Sequence, residues 1–308
     1  MHYTLHQLKV FLKIYELKNI TKAAEELFLT QPAVSIQLKK LQDQFEIPLT
    51  EVIGRQLYIT DFGEKIAATC KTIIEEADKI KTTIDEYNGL LSGKISISVV
   101  STGKYVIPYF LNKFLRDHPA IDLKIDVTNK ARVLESLKQN TSDFSLVSVL
   151  PDDIPVETIE LMQNKLYLVA SPEYTDNEEF TDKTSIDEIQ NQTLIFREEG
   201  SATRLAMEKF IKANGIRPKK KLELVSNEAV KQAVNAGLGY SIMPIIGLRN
   251  ELKNNSLKII DVKGLPYITS WNLIYNKGKN LTPAAQAFAE HIKKHKQETI
   301  DKHFSWVD

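Results

Sequence analysis

Cysteine is nearly absent from this chain: Cys70 is the only one among 308 residues, so no disulfide can form within the chain. An excess of charge of either sign is absent too, because 40 basic and 40 acidic side chains give a formal net charge of zero. That balance argues against a nonspecific polycation. No apolar run is long enough to span a bilayer, and the N-terminus lacks a basic region that leads into an apolar stretch. We therefore expect no signal peptide, no membrane segment and a place in the reducing cytoplasm.

Motifs of the common enzyme classes are also missing. The chain has no nucleophile elbow, no Walker loop and no GxGxxG fingerprint after a strand. Its six histidines are scattered. Only His291 and His295 share a predicted helix face at i, i+4, a spacing that more often gives a solvated pair than a metal site. We expect no enzymatic activity, no metal and no cofactor.

What the chain does have is a pattern of two short helices joined by a turn over residues 19–41. Thr21 is placed to cap the first helix, and Pro32 suits the first turn of the second. Apolar positions predict one buried face on each helix: Ala24, Leu27 and Phe28 on the first, and Val34, Leu38 and Leu41 on the second. The polar remainder of the second helix is typical of a helix that lies in the DNA major groove.

Two flanking segments support a winged helix-turn-helix. Upstream, apolar residues from Leu5 to Tyr15 predict a further amphipathic helix, and downstream residues 49–60 predict two short strands around Gly54, a wing. Two amphipathic helices joined by a turn also occur in proteins that bind no DNA. The third helix and the wing, in this order, weigh against that alternative.

Residues 3–64 resemble the DNA-binding domain of LysR-type transcriptional regulators, through "NITKAAEELFLTQPAVSIQLKKLQ" and "GRQLYITDFG". One departure is Thr50, where the family usually has an aromatic residue. The resemblance implies binding of double-stranded DNA at an interrupted palindromic operator. The candidate DNA-binding residues are Thr21, Gln31, Pro32, Ser35, Ile36, Lys39 and Arg55.

A long helix from Asp61 to about Leu91 carries apolar residues in a heptad repeat, which predicts a coiled-coil seam with a second helix. The candidate interface residues are Ile66, Ile73, Ala77, Ile80, Ile84 and Tyr87. We expect Cys70 inside this seam. The alternatives are that the stripe packs on its own chain and that Cys70 is a redox-sensing thiol. The family resemblance favours a homodimer or homotetramer.

Beyond a hinge at residues 91–93, strand and helix patterns alternate, which predicts an α/β domain with a mostly parallel sheet. The predicted boundaries are 1–60 for the winged helix-turn-helix, 61–92 for the linker helix and hinge, and 93–308 for the third domain. Within it we expect subdomain I over about 93–164 and 268–296, and subdomain II over about 165–267. The tail after Lys296 is polar and is predicted to be loosely held.

Polar residues follow several of the predicted strands, at the edge where open α/β sheets bind ligands. Helix starts at such junctions offer free backbone N–H groups to anions, and Lys104 and Arg204 are candidate cations there. The candidate ligand-binding residues are Ser101, Thr102, Thr128, Ser148, Ser201, Thr203 and Asn227. For any single junction, simple helix capping is the competing explanation.

Residues 93–296 look like the effector-binding domain of the same family, whose two Rossmann-like subdomains resemble periplasmic solute-binding proteins. The runs "VVSTGKY", "FREEGSATR" and "SNEAVKQAVNAGLGYSIMP" are similar to the regulators of carbon-fixation operons, which sense small anionic metabolites. The group usually has Gly at Ala202, so the resemblance does not fix the effector.

We interpret the chain as a sequence-specific, effector-regulated transcriptional regulator with RNA polymerase as a further candidate partner. The competing hypothesis is a solute-binding or enzymatic α/β module with a helical appendage that does not bind DNA.

Overall fold

The computed structural model describes residues 2–54, 56–87, 90–174 and 186–307. The chain divides into two compact units, Met1–Leu90 and Leu91–Asp308. The elements of the first unit, in chain order, are α1 (Leu5–Leu17), α2 (Ile20–Glu26), α3 (Gln31–Gln42), β1 (Thr50–Ile53), β2 (Gln56–Ile59) and α4 (Asp61–Tyr87). β1 and β2 form an antiparallel hairpin, the predicted wing, and Gly54 supplies the positive φ of 56° that its turn requires. Arg55 lies outside the described residues.

The core of the first unit is closed by the three short helices and the start of α4. Phe11 and Ile14 of α1 pack with Val34 and Leu41 of α3, and all four side chains are fully buried. This is the arrangement that the spacing of apolar residues predicts. One predicted member of the stripe is wrong, because Phe28 has a φ of 55° just after α2 and is 96% exposed.

The cap of α2 also differs from the prediction. Asn19, not Thr21, is the N-cap, and its side chain accepts a hydrogen bond from the backbone N–H of Lys22 at 3.0 Å. Thr21 lies in the first turn and is exposed. Both residue types are good caps, but Asn19 reaches the orphan N–H three residues on.

The first half of α4 packs on its own chain. Cys70 is buried in the core of the first unit, and Ile66 and Ile73 are partly buried against the same core. The prediction that Cys70 lies in an intermolecular seam is therefore wrong, because α1 already occupies that side of the helix. Further along, Ile80 is 64% exposed. The side chains of Ile84 and Tyr87 lie outside the described part of the structure.

The second unit is an α/β structure. Its strands are β3 (Gly93–Val100), β4 (Ile121–Thr128), β5 (Phe144–Val147), β6 (Val156–Ala170), β7 (Thr193–Arg197), β8 (Lys220–Leu224), β9 (Ser241–Pro244), β10 (Lys258–Ile260) and β11 (Tyr267–Asn276). Its α-helices are α5 (Ile107–Asp117), α6 (Lys130–Lys138), α7 (Ile186–Asn191), α8 (Ala202–Ala213), α9 (Asn227–Asn235), α10 (Arg249–Lys253) and α11 (Pro283–His303). Short 3-10 helices at Ser101–Tyr105, Ile245–Gly247 and Ser305–Val307 complete the described elements of regular structure, together with one at Pro172–Tyr174.

The main sheet has the strand order β10-β6-β11-β5-β3-β4, with β9 also paired to β6. β3 pairs in parallel with β4 and β5, whereas β11 and β6 run antiparallel to their neighbours. The sheet is therefore mixed rather than mostly parallel. The sequence predicts a strand only near Leu166–Ala170, the apolar end of β6, and misses the more polar residues 156–165 before it. β7 and β8 form a separate parallel pair.

Apolar side chains of the second unit gather in separate cores. One lies around β3, β5, α5 and α11, and two others lie on either side of β7 and β9. β6 and β11 connect the core around α5 and α11 with a core beside β7 and β9, because each strand contributes residues to both cores.

The C-terminal residues are held in place, contrary to the prediction. α11 continues to His303, and Phe304 and Val307 are buried against the core that holds α5. Ile300, Phe304 and Val307 recur at i, i+4 and i+7, so an apolar stripe was present in the polar-looking tail. Among the described residues, no helix combines the length and apolar character that a membrane crossing needs.

Candidate functional site

The second helix of the helix-turn-helix, α3, begins as the sequence predicts. Thr30 is its N-cap and accepts from the backbone N–H of Ala33 at 3.4 Å, while Pro32 occupies the first turn. Val34, Leu38 and Leu41 bury one face. Fixing that face against α1 and α2 leaves the opposite face free to meet a partner.

The free face of α3 has a specific polar pattern. Gln31 donates from Nε2 to the hydroxyl oxygen of Ser35 at 2.8 Å, so the two side chains are aligned one turn apart. Lys39 is exposed one turn further, and Ile36 keeps 53% of its surface. Donor, acceptor, apolar and cationic groups are thus displayed together, as base edges and phosphates require.

A second cluster of polar side chains lies where strands of the second unit end. Ser101 follows β3, Arg197 ends β7, and Asn227 opens α9. The Ser101 hydroxyl oxygen accepts from Asn227 Nδ2 at 2.9 Å and from Arg197 Nη1 at 3.2 Å. We call the site formed by these three residues the cleft. Two of the predicted residues, Ser101 and Asn227, therefore meet directly.

Arg197 was not predicted, although it is the cation of the cleft. It is 3% exposed, and its Nε and Nη2 donate to the two carboxylate oxygens of Glu198 at 2.7 and 2.8 Å. The bidentate pair fixes the guanidinium so that Nη1 reaches Ser101. A signal was available in the sequence, since an arginine at the end of the apolar run "TLIF" needs a buried partner.

The predicted cation Arg204 is engaged elsewhere. Its guanidinium binds Glu208 and Glu223, and these hydrogen bonds raise its pKa further above the ordinary arginine value. It also donates to the backbone oxygen of Arg197 at 3.0 Å. Arg204 thus supports the end of β7. Lys104, the other predicted cation, is exposed and lies over the ring of Tyr105.

The remaining predicted residues expose little of their surface. Thr102, Ser148, Ser201 and Thr203 are buried, and Thr128 is partly buried. No hydrogen bond joins them to one another among the described residues. The loops that carry them do meet, because the backbone N–H of Ala131 donates to the oxygen of Gly200 at 3.3 Å.

Helix capping does not account for these polar residues. The caps of α6 and α9 are Asn129 and Ser226, which bond the backbone at 3.1 and 3.0 Å. Ser201 stands at the N-cap of α8 but makes no side-chain cap hydrogen bond. Asn227 lies inside α9, and its buried Oδ1 has no hydrogen-bond partner among the described residues. An unsatisfied buried acceptor of this kind calls for a donor.

Other candidate sites are unremarkable. The rings of His291 and His295 lie 4.7 Å apart, and burial lowers the pKa of His291 below its ordinary value. Among the described residues, no group of three or more potential ligands could hold a metal ion. Burial raises the pKa of the Cys70 thiol, which disfavours the reactive thiolate that a redox sensor needs.

Family comparisons assign both units. Residues 5–64 match the model of the bacterial regulatory helix-turn-helix protein, lysR family, and residues 88–297 match the LysR substrate binding domain. The chain belongs to the LysR family. It is a DNA-binding transcriptional regulator and not an enzyme, so the hypothesis of an α/β module with an appendage that does not bind DNA is not supported.

Relatives of this LysR-type chain place it near regulators of carbon fixation, as the sequence indicates. It is 37% identical to the HTH-type transcriptional activator CmpR of Synechocystis sp., with 95% of each chain covered. It is 36% identical to the RuBisCO operon transcriptional regulator of Allochromatium vinosum, covering 95% of this chain and 96% of that one. The structure of the CcmR regulatory domain of Synechocystis PCC6803 in complex with 2-PG is 28% identical, with a TM-score of 0.62, and covers 67% of this chain and 98% of that one.

Proposed function

We propose that this LysR-type regulator reads an interrupted palindromic operator through α3 and the wing and assembles as a homo-oligomer through α4. We further propose that it responds to a small anion in the cleft. The DNA-binding domain spans residues 1–60, the linker 61–92 and the effector domain 93–308. The cytoplasm, where operator DNA and metabolites meet, is its proposed location. RNA polymerase is a further proposed partner.

The observation that carries the effector proposal is the buried, unpartnered Oδ1 of Asn227. It belongs to the same side chain whose Nδ2 bonds Ser101, so the unsatisfied acceptor lies beside the contact between the start of α9 and the segment that follows β3. A ligand hydroxyl or acid proton would satisfy it. Buried hydroxyls of Thr102, Ser201 and Thr203 would donate to the ligand's anionic oxygens.

An anion is favoured over a neutral ligand for two reasons. The N-terminus of α9 begins at Asn227 itself, so its free N–H groups add positive potential at the cleft. The related CcmR regulatory domain has been seen in complex with 2-PG. That compound is the first candidate to test.

The effector test is calorimetry with 2-PG on the full chain. The double substitution Thr102→Ala and Ser201→Ala should remove measurable binding and the effect of 2-PG on operator affinity, while basal operator binding persists. Thr158→Ala, on an exposed position of β6, is the control. If 2-PG binds the double variant as tightly as the parent chain, the hydroxyls of Thr102 and Ser201 do not hold the effector and the proposed site is wrong.

On DNA, Gln31 matches the adenine edge, because a glutamine amide can bond both N6 and N7 in the major groove. Ser35 lies beside it, Ile36 is suited to a thymine methyl, and Lys39 to a phosphate. Thr21 and Pro32 are proposed to meet the DNA backbone at the helix starts, and Arg55 of the wing a further phosphate.

The DNA test is footprinting with the double variant Gln31→Ala and Ser35→Ala. Each lost base contact should cost roughly 1–3 kcal/mol at the operator. Nonspecific DNA, which these residues do not read, should be bound as before. Glu16→Ala, an exposed position of α1, is the control. Full operator protection by the double variant would contradict the assignment.

A further inference from the structure

A cavity of about 550 Å³ lies in the second unit, apart from the cleft residues Ser101 and Asn227. It is walled by the 3-10 helix Ser101–Tyr105, the start of α5, α10 and the C-terminal segment around Trp306. It is larger than three other cavities of the unit, and none of the seven predicted effector-binding residues lines it.

The lining of this cavity is positively charged. Lys104, Arg249 and Lys253 all line it, and none forms an ion pair with a carboxylate among the described residues. The one carboxylate of the lining, Glu251, is already bound by Lys231 at 2.8 Å. Three cations therefore remain uncompensated around one concave space.

Two of these cations are held in place by aromatic rings. The ammonium of Lys104 lies 5.1 Å from the ring centre of Tyr105, and the guanidinium of Arg249 lies 5.2 Å from that of Trp306. Cation–π contacts of this kind restrict long side chains that would otherwise sample many rotamers. The charge is thus partly preorganised, which lowers the entropy cost of binding an anion.

The cavity shares two structural elements with the cleft. The 3-10 helix carries Ser101 at the cleft and Tyr105 at the cavity, while α9 carries Asn227 at the cleft and Glu228 next to the cavity. Ser101 and Asn227 are bonded at 2.9 Å, and the Tyr105 hydroxyl donates to Glu228 at 3.3 Å. Lys231 binds Glu228 in turn at 3.1 Å. A shift of either element would therefore alter both sites.

We propose that this cavity is a second ligand site, for a small polyanion with two or more phosphate or carboxylate groups, and that its occupancy is coupled to the cleft. Only the coupling rests on the proposed effector function. A polyanion matches the three cations, whereas a monoanion would leave part of their charge uncompensated. Because the two sites share elements, we expect a ligand at one to change affinity at the other, and thermodynamic linkage makes the factor the same in both directions.

The test uses inorganic pyrophosphate as the probe and the full chain in calorimetry. The parent chain should bind pyrophosphate saturably, and Arg249→Gln with Lys253→Gln should weaken binding at least tenfold. Arg217→Gln with Lys219→Gln is the matched control, because it removes the same two charges from exposed positions away from the cavity. Loss of binding in the control to the same extent would show general surface electrostatics and overturn the proposal.

A third variant separates the cavity from the cleft. Ser201→Ala, outside the elements that wall the cavity, should leave pyrophosphate affinity within about threefold, and loss of binding there would place the probe among the effector-binding residues and refute the second site. In the parent chain, saturating pyrophosphate should shift 2-PG affinity by severalfold. An unchanged 2-PG affinity would refute the coupling, whereas absence of 2-PG binding would refute the proposed effector function and leave the cavity assignment to the pyrophosphate result.

Discussion

On α3, Gln31 and Lys39 are exposed and Ile36 keeps 53% of its surface, whereas Arg197 and Asn227 of the cleft are 3% and 5% exposed. Among the described residues, the side-chain hydrogen bond of this proposed DNA-reading face stays within it, between Gln31 and Ser35. The cleft residues are bonded to one another across the unit. Substitutions on α3 should therefore change binding alone, while substitutions at the cleft should change binding and stability together.

The largest expected effect tests assembly on the exposed half of α4. Ile80→Asp would place a charge in the proposed apolar seam, and burying an unpaired carboxylate is too costly for the seam to persist. We expect loss of the dimer and of operator binding with an unchanged circular dichroism spectrum, since Ile80 is 64% exposed within its own chain and its replacement leaves the fold intact. Light scattering measures the oligomeric state of this variant, with Thr72→Asp as the control. A variant that stays oligomeric would show that α4 pairs elsewhere.

The next effect tests the claim that the cleft supports the fold. Arg197→Met would leave the Glu198 carboxylate without its bidentate partner in a mostly buried site. Removing one partner of a buried ion pair costs about 3–5 kcal/mol. We expect the free energy of unfolding, measured in urea, to fall by about that amount. Arg204→Met removes ion pairs to more exposed partners, Glu208 and Glu223, and should cost about 0–1 kcal/mol. Equal losses of unfolding free energy in the two variants would contradict the claim that the buried Arg197 pair stabilises the fold more than the Arg204 pairs.

The smallest expected effect concerns the N-terminal cap of α2, the first helix of the helix-turn-helix. Asn19→Ala removes the cap of α2 and should destabilise the chain by about 1 kcal/mol. Thr21→Ala removes an exposed first-turn hydroxyl with no cap hydrogen bond, so its unfolding midpoint should barely move. Thermal unfolding of the two variants side by side measures the difference, and the opposite order would restore Thr21 as the functional cap.

Much of the first unit could be predicted because its signals are local. Pro32, the spacing of Val34, Leu38 and Leu41, and Gly54 each act within a few residues of their own position. Phe28 could not be placed in the same way. Its i+4 spacing from Ala24 fits a stripe, but the chain leaves the helix at that residue with a positive φ.

The errors elsewhere concern partners that are distant in the sequence. The heptad repeat around Cys70 identified an apolar stripe but could not show that α1 of the same chain covers it. Arg197 looked like the polar end of a strand, because its partner Ser101 is 96 residues away. The cleft was located from strand ends, yet its hydrogen-bonding pattern depends on contacts that only the folded unit reveals.

The burial of Cys70 has a practical consequence for spectroscopy. Its side chain is 2% exposed, burial raises its pKa, and it is the only thiol in the chain. A cysteine introduced at an exposed position should therefore react with a maleimide dye far faster than Cys70, without prior removal of the native thiol. Dyes placed in this way on α3 and on α10 would report distances between the two units as ligands are added, in a protein that is otherwise unaltered.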